Sequence, residues 1–147
     1  MNGKHFIVLF LGVVVVFTVA LFYFQNYAYY ESMDIRKNIL IGKKRYEISN
    51  YQGIDSISSG LKLRECFVVK ILDDIKLPKY GNPTPLIAPF WFKCFNAERI
   101  TKDLENGKAS AYLFKKDEFD GIDDVIAIYP DGRSYRWRQL NTKYMKD

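Results

Sequence analysis

Two thiols, one imidazole and a dense acidic run are what this chain offers for chemistry. Cys66 and Cys94 are the only cysteines and His5 the only histidine among 147 residues. An even cysteine pair in an oxidising compartment forms a disulfide, and closing a loop of about 29 residues stabilises a domain by roughly 3.5 kcal/mol. Buried unpaired thiols are the alternative. A redox or metal role has little behind it, since there is no CxxC and no histidine within the main domain. Ser56, Ser58 and Ser59 lie together without a histidine base or a GxSxG elbow. We therefore expect no catalytic residue, no metal and no cofactor.

Three further groups stand out. Asp117, Glu118, Asp120, Asp123 and Asp124 are the densest acidic cluster. Phe119 breaks the alternation a calcium loop requires, so the run reads as a solvated turn before a strand. Arg136 and Arg138 alternate with Tyr135 and Trp137, which on a strand places each pair on its own face. The plain reading buries the aromatics and solvates the arginines. The functional reading makes Ser134, Arg136 and Arg138 a face for a small anion, a lipid headgroup or a protein partner. Finally, Pro89, Phe90, Trp91 and Phe92 form an aromatic stretch that is either core or a partner surface.

These groups need elements to position them. Residues 6–24 carry no charge and are apolar apart from Gly12 and Thr18. A helix of that length spans roughly 28 Å, close to the hydrocarbon thickness of a bilayer. A cleaved signal peptide would have a shorter core and small residues where Phe22, Tyr23 and Phe24 stand. We therefore expect an uncleaved single-pass helix. Tyr23, Tyr27, Tyr29 and Tyr30 form an interfacial belt at its exit. Lys4 lies before the span, whereas Glu31 and Asp34 come first after it, which favours a cytoplasmic N-terminus. Residues 1–5 are then a cytoplasmic tail, 25–37 a juxtamembrane connector and 38–147 a small outer domain. In a bacterium that domain lies in the periplasm, carried by the inner membrane.

The outer domain reads as α+β, mostly antiparallel sheet with one short helix. Ile39–Ile41 and Arg45–Ile48 make a hairpin through Gly42. Asn50–Gly60 reads as a Ser- and Gly-rich loop, and Leu61–Lys70 as a strand. Four of the five prolines fall between Pro78 and Pro89, which predicts an extended connection. Asn96 as N-cap and Gly107 as stop predict a helix over 97–106. Strands follow at Ala109–Phe114 and Asp124–Tyr129. The turn Pro130-Asp131-Gly132 then returns the chain along Arg133–Leu140.

Four stretches, Tyr27–Glu31, Gly53–Phe67, Pro85–Phe95 and Gly121–Asn141, resemble an uncharacterised family of short, single-anchor bacterial envelope proteins. The resemblance implies a membrane anchor, a small outer domain and no established activity. Some members carry a histidine kinase label, for which this chain has neither the phosphoacceptor histidine nor a Gly-rich nucleotide site. The family also implies a further cysteine near the C-terminus, and Leu140–Lys143 contains none.

The net charge of +5 would suit nucleic acid, but the expected compartment holds little of it. The expectation is a non-enzymatic anchored protein. Its partners would be the lipid bilayer and a larger membrane complex that it accompanies or helps to assemble. The alternative is an envelope module that senses a small anion or lipid headgroup.

Overall fold

The structure is a computed structural model describing residues 2–145. The first residue of the expected 1–5 tail and the last two of the 38–147 domain lie outside the described residues. Helix α1 (Gly3–Asn26) takes in the whole apolar run and buries none of its side chains. By length and composition it can cross a membrane. Thr18, one of its two weakly apolar residues, turns its hydroxyl onto the Val14 carbonyl at 2.8 Å, so this hydroxyl is not left unpaired.

After α1 the chain builds one antiparallel sheet of seven strands. Their bounds are β1 (Glu31–Ser32), β2 (Asn38–Ile41), β3 (Lys44–Asp55), β4 (Arg64–Val69), β5 (Ser110–Phe119), β6 (Ile122–Ile128) and β7 (Arg133–Leu140). The order across the sheet is β1-β3-β4-β7-β6-β5, with β2 paired to β3 by the hairpin through Gly42, whose φ is 64°. A single short helix, α2 (Ala97–Glu105), begins where Asn96 accepts a hydrogen bond from the Arg99 amide. The α+β class and the short helix are as expected.

Two expectations are corrected. The stretch from Asn50 is not a loop but the second half of β3, which continues to Asp55. A bulge between Ser49 and Gln52, with Asn50 at φ 54°, lets the strand bend and carry on. Ladders to β1 and β4 then satisfy the backbone of these residues. Likewise, the juxtamembrane connector contains β1, so the chain leaving the helix enters the sheet within five residues of Asn26.

Successive residues on each strand point to opposite faces, and both faces are covered. Phe67, Val69, Ile126 and Ile128 form one face, closed by Ile39, Ile41, Tyr46 and Ile48 of the hairpin. Cys66, Val125, Ala127 and Trp137 form the other, closed by Ile100 of α2 and by Phe92 and Phe95. The buried Tyr129 hydroxyl donates to Asp103 at 2.6 Å, which ties α2 to the end of β6. Between β4 and α2 the chain runs extended, as the prolines predict. It lies along β5, where the Tyr80 amide donates to the Ala111 carbonyl and the Leu113 amide to the Pro78 carbonyl.

Candidate functional site

Strand alternation puts Arg136 on the face closed by the hairpin, directly across from Glu65 of β4 and Ile126 of β6. Two residues earlier on β6, on the same face, Asp124 reaches the same guanidinium. Arg136 Nε and Nη2 donate to the two Asp124 oxygens at 2.8 and 2.5 Å, a bidentate fork. Its Nη1 donates to both Glu65 oxygens at 3.1 and 3.2 Å. Both carboxylate side chains are fully buried and Arg136 is nearly so. The guanidinium also lies 4.3 Å from the Phe114 ring centroid. Burial works against its charge, but Asp124 and Glu65 more than offset this and hold the group above the usual arginine range. The same Glu65 charge, after burial itself, keeps the Tyr51 hydroxyl protonated well above the usual tyrosine range.

Arg138 lies further along the same face, paired with Asp55 at 3.2 Å and packed over Phe119 at 5.0 Å. Ser134 is buried and donates to the Gly132 carbonyl at 3.1 Å. The expectation of solvated arginines is therefore overturned. They are core residues because the β2–β3 hairpin and the β5 aromatics close over them. Two guanidiniums face three carboxylates, so this group has no spare positive charge for an anion.

An open cleft of about 750 Å³ begins at Arg138 and is lined by Arg36, Asp34, Asp55 and the serine loop. It carries more acid than base, Glu31, Asp34 and Asp55 against Arg36 and Arg138. Ser56 and Ser58 use their hydroxyls on each other at 2.7 Å. Among the described residues no group of three His, Cys, Asp or Glu side chains is placed to hold a metal ion. Of the acidic run, Asp117 and Asp120 are exposed, as a solvated turn requires, whereas Asp123 and Asp124 are buried in β6. Asp123 accepts from the Tyr80 hydroxyl at 2.9 Å, from Asn141 at 3.0 Å and from the Asp117 amide at 3.0 Å. Burial pushes its carboxyl up, yet these donors outweigh that and leave it below the usual range.

The aromatic stretch goes to a different place. Phe92 and Pro89 are buried in the domain, whereas Phe90 is 59% exposed. Phe90 stacks on Phe22 of α1 with ring centroids 5.8 Å apart. Trp91 lies parallel to Tyr27 at 6.0 Å and edge-on to Tyr30 at 6.1 Å. Its indole N–H donates to the carbonyl of Asn26, the last residue of α1. Lys62 holds its ammonium over the Tyr29 and Tyr30 rings at 5.3 and 4.9 Å. Of the expected tyrosine belt, Tyr23, Tyr27 and Tyr29 are exposed and Tyr30 is half-buried. All four join this collar, because Tyr23 stacks on Tyr27 at 6.2 Å.

Two fixtures hold the loop that supplies Phe90 and Trp91. Cys66 and Cys94 are bonded, with Cα atoms 6.3 Å apart, which pins the loop's far end to β4. The near end is held by Arg64, whose Nε and Nη2 donate to the Leu86 and Ile87 carbonyls at 3.0 and 3.2 Å. Its Nη1 meets the Leu61 and Leu63 carbonyls at 2.7 and 2.6 Å. Burial lowers this guanidinium to about 10, still charged at neutral pH. Sequence reasoning passed over Arg64 and Glu65, and took Asp124 only as part of the acidic run before a strand. The available signal was the pair Arg64-Glu65 inside an otherwise apolar strand, where charge is tolerated only when paired.

A family model spans residues 37–146 of the chain. The chain belongs to a family of unknown function, DUF6446. No curated protein and no solved structure matches it. The DUF6446 match covers the whole sheet from β2 onward, the disulfide and α2, and it begins after α1 and the collar tyrosines. Membership carries no activity, location or partner with it.

Proposed function

We propose that this DUF6446 protein is a non-enzymatic, single-pass anchored protein that accompanies or helps to assemble a larger membrane complex. The observation that carries this is the grip of the outer domain on the end of α1. Trp91 is hydrogen-bonded to Asn26 and stacked on Tyr27, and Phe90 is stacked on Phe22. A leader that is cut away would not be integrated into the folded domain in this manner, so the grip supports an uncleaved helix. It also denies the domain a free tether and holds it in one orientation on the membrane, where an accessory subunit would search for partners in two dimensions. Among the described residues nothing covers the side of α1 formed by Val8, Gly12, Val16 and Ala20, which is open to lipid or to a partner helix.

The disulfide supports an oxidising compartment for the domain, and with the charge at Lys4 it supports a cytoplasmic N-terminus at a bacterial inner membrane. The alternative, an anion sensor at Ser134, Arg136 and Arg138, loses ground because those side chains are already committed to internal partners.

The deciding experiment is affinity purification of the tagged full chain from native membranes in mild detergent, with mass spectrometry of what accompanies it. We expect one membrane complex in fixed stoichiometry. A solitary protein recovered at full yield would refute the accessory role. Thiol labelling of intact cells, which should find Cys66 and Cys94 blocked until reduced, checks the orientation separately.

A further inference from the structure

We infer that the loop Ile87–Trp91 is a second membrane contact, one that inserts Ile87 and Phe90 into the lipid at the exit of α1. The inference rests on the reading that α1 spans a bilayer. Ile87 is 85% exposed and Phe90 59%, and other apolar side chains of the domain, Ile57 and Ile71 among them, are exposed as well. A lone exposed apolar side chain needs no explanation. Phe90 is different because its neighbour is a residue of the membrane helix, and Ile87 is exposed in the same loop. Phe90 lies on Phe22, and counted from the mid-span residue Val15, Phe22 stands about 10 Å from the bilayer centre at 1.5 Å per residue. The hydrocarbon extends roughly 15 Å to either side. A ring stacked on Phe22 is therefore at the depth of acyl chains, and the loop that carries it cannot remain in water.

The surroundings fit the same depth. Trp91, Tyr27, Tyr29 and Tyr30 gather near the end of α1, at the level where amphipathic rings favour the interface. Lys62 spreads over two of these rings, and Lys93 is exposed just past the loop; both would place their ammonium groups at headgroup phosphates. The loop is also preformed for insertion. Arg64 fixes Leu86 and Ile87 from one side and the Cys66–Cys94 bond fixes the other, so the apolar tip is presented without having to be ordered. The occupant is the bilayer itself, not the protein partner expected for Pro89–Phe92 from the sequence.

The test uses the full chain in protein-free liposomes whose acyl chains carry bromine either near the headgroup or near the methyl end. Flotation first establishes that the chain is in the bilayer. Trp91 emission should then be quenched more by the headgroup-end bromines. W91F should abolish that quenching, since Trp137 is fully buried in the core. I87S together with F90S should reduce it while the disulfide still forms. Chains that float but show no bromine quenching attributable to Trp91 would overturn the inference and leave the anchor intact. Chains that do not float would overturn the spanning reading and this inference with it.

Discussion

The arginine group and the aromatic collar break opposite rules. The first buries three charged side chains in the sheet, Arg136, Glu65 and Asp124; the second leaves Phe22, Tyr27 and Phe90 exposed. Buried charge and exposed apolar surface are the two observations most worth explaining in a folded chain. Here one explains itself and the other does not. Every charge around Arg136 has its opposite within hydrogen-bonding distance inside the same chain, so nothing outside is needed to account for it. The collar has no such closure. Its rings touch one another, yet their outer sides face away from the domain, and only lipid or another protein can cover them. Chemistry-bearing residue types drew attention to the arginines, but the part of the molecule that calls for a partner is the greasy one.

The sharpest way to break this contrast is to open the charged group. R136M leaves Glu65 and Asp124 buried without a counter-charge, and we expect a loss of about 3–5 kcal/mol. Urea unfolding of the full chain in mild detergent, followed by near-ultraviolet circular dichroism, measures it. Replacing all three residues by apolar ones of similar size should recover most of that loss. A triple variant as unstable as R136M would mean that the group does more than satisfy itself.

The disulfide joins the two regions, since Cys66 is next to Glu65 and Cys94 lies shortly after Trp91. Replacing both by serine releases the loop, and the loop-entropy model puts the cost at about 3.5 kcal/mol. The same unfolding experiment applies. In addition, Trp91 should become more mobile while Trp137 does not, which time-resolved anisotropy of single-tryptophan chains would separate.

Local pattern and non-local closure divide what the sequence could disclose. The presence and place of α1, α2 and the last hairpin follow from runs, caps and a Pro-Asp-Gly turn, all of them local, although α1 extends beyond the apolar run at both ends. Alternation correctly puts Arg136 and Arg138 on one face of β7. It says nothing of what covers that face. Glu65 lies 71 residues away and Asp124 12 residues away, and they meet Arg136 only because β4 and β6 flank β7. The far half of β3 was hidden for a related reason. Its Asn50 and Gly53, with the serines that follow Asp55, read as a loop, and only pairing to β1 and β4 makes it a strand. The collar is the clearest case. Tyr27 and Trp91 each look interfacial alone, but their stacking depends on the disulfide and on Arg64 holding the loop in place.

A smaller effect tests the acidic run, which sits between the two extremes. Asp123 has a depressed carboxyl in the folded state, so it contributes stability above the ordinary carboxylate range that is lost as the pH falls through its folded value. N141A removes one of its donors and a donor to Asp117. We expect about 1–2 kcal/mol of destabilisation near neutral pH. The acid-unfolding midpoint should move to higher pH, because the folded carboxyl is then less depressed. An acid titration followed by circular dichroism checks both sign and size. A midpoint unmoved by N141A would mean that other carboxylates govern acid unfolding.

The smallest expected change in stability is the most informative about the collar. F90S removes an exposed ring whose contact inside the chain is chiefly with α1. In detergent, where micelles cover the helix end in either variant, we expect a change within about 0.5 kcal/mol, as for other surface substitutions. R136M and F90S would then differ several-fold in stability cost although each alters one side chain. In liposomes the order should reverse for a different readout. R136M, if folded, should leave the accessibility of Lys93 to an aqueous amine reagent unchanged, because the loop is held by Arg64 and the disulfide. F90S should raise it, because a domain that has lost one of its two inserted side chains sits less deeply at the interface. If F90S proved as destabilising in detergent as R136M, Phe90 would be a core residue, and the contrast between a self-satisfied interior and an unsatisfied surface would fail.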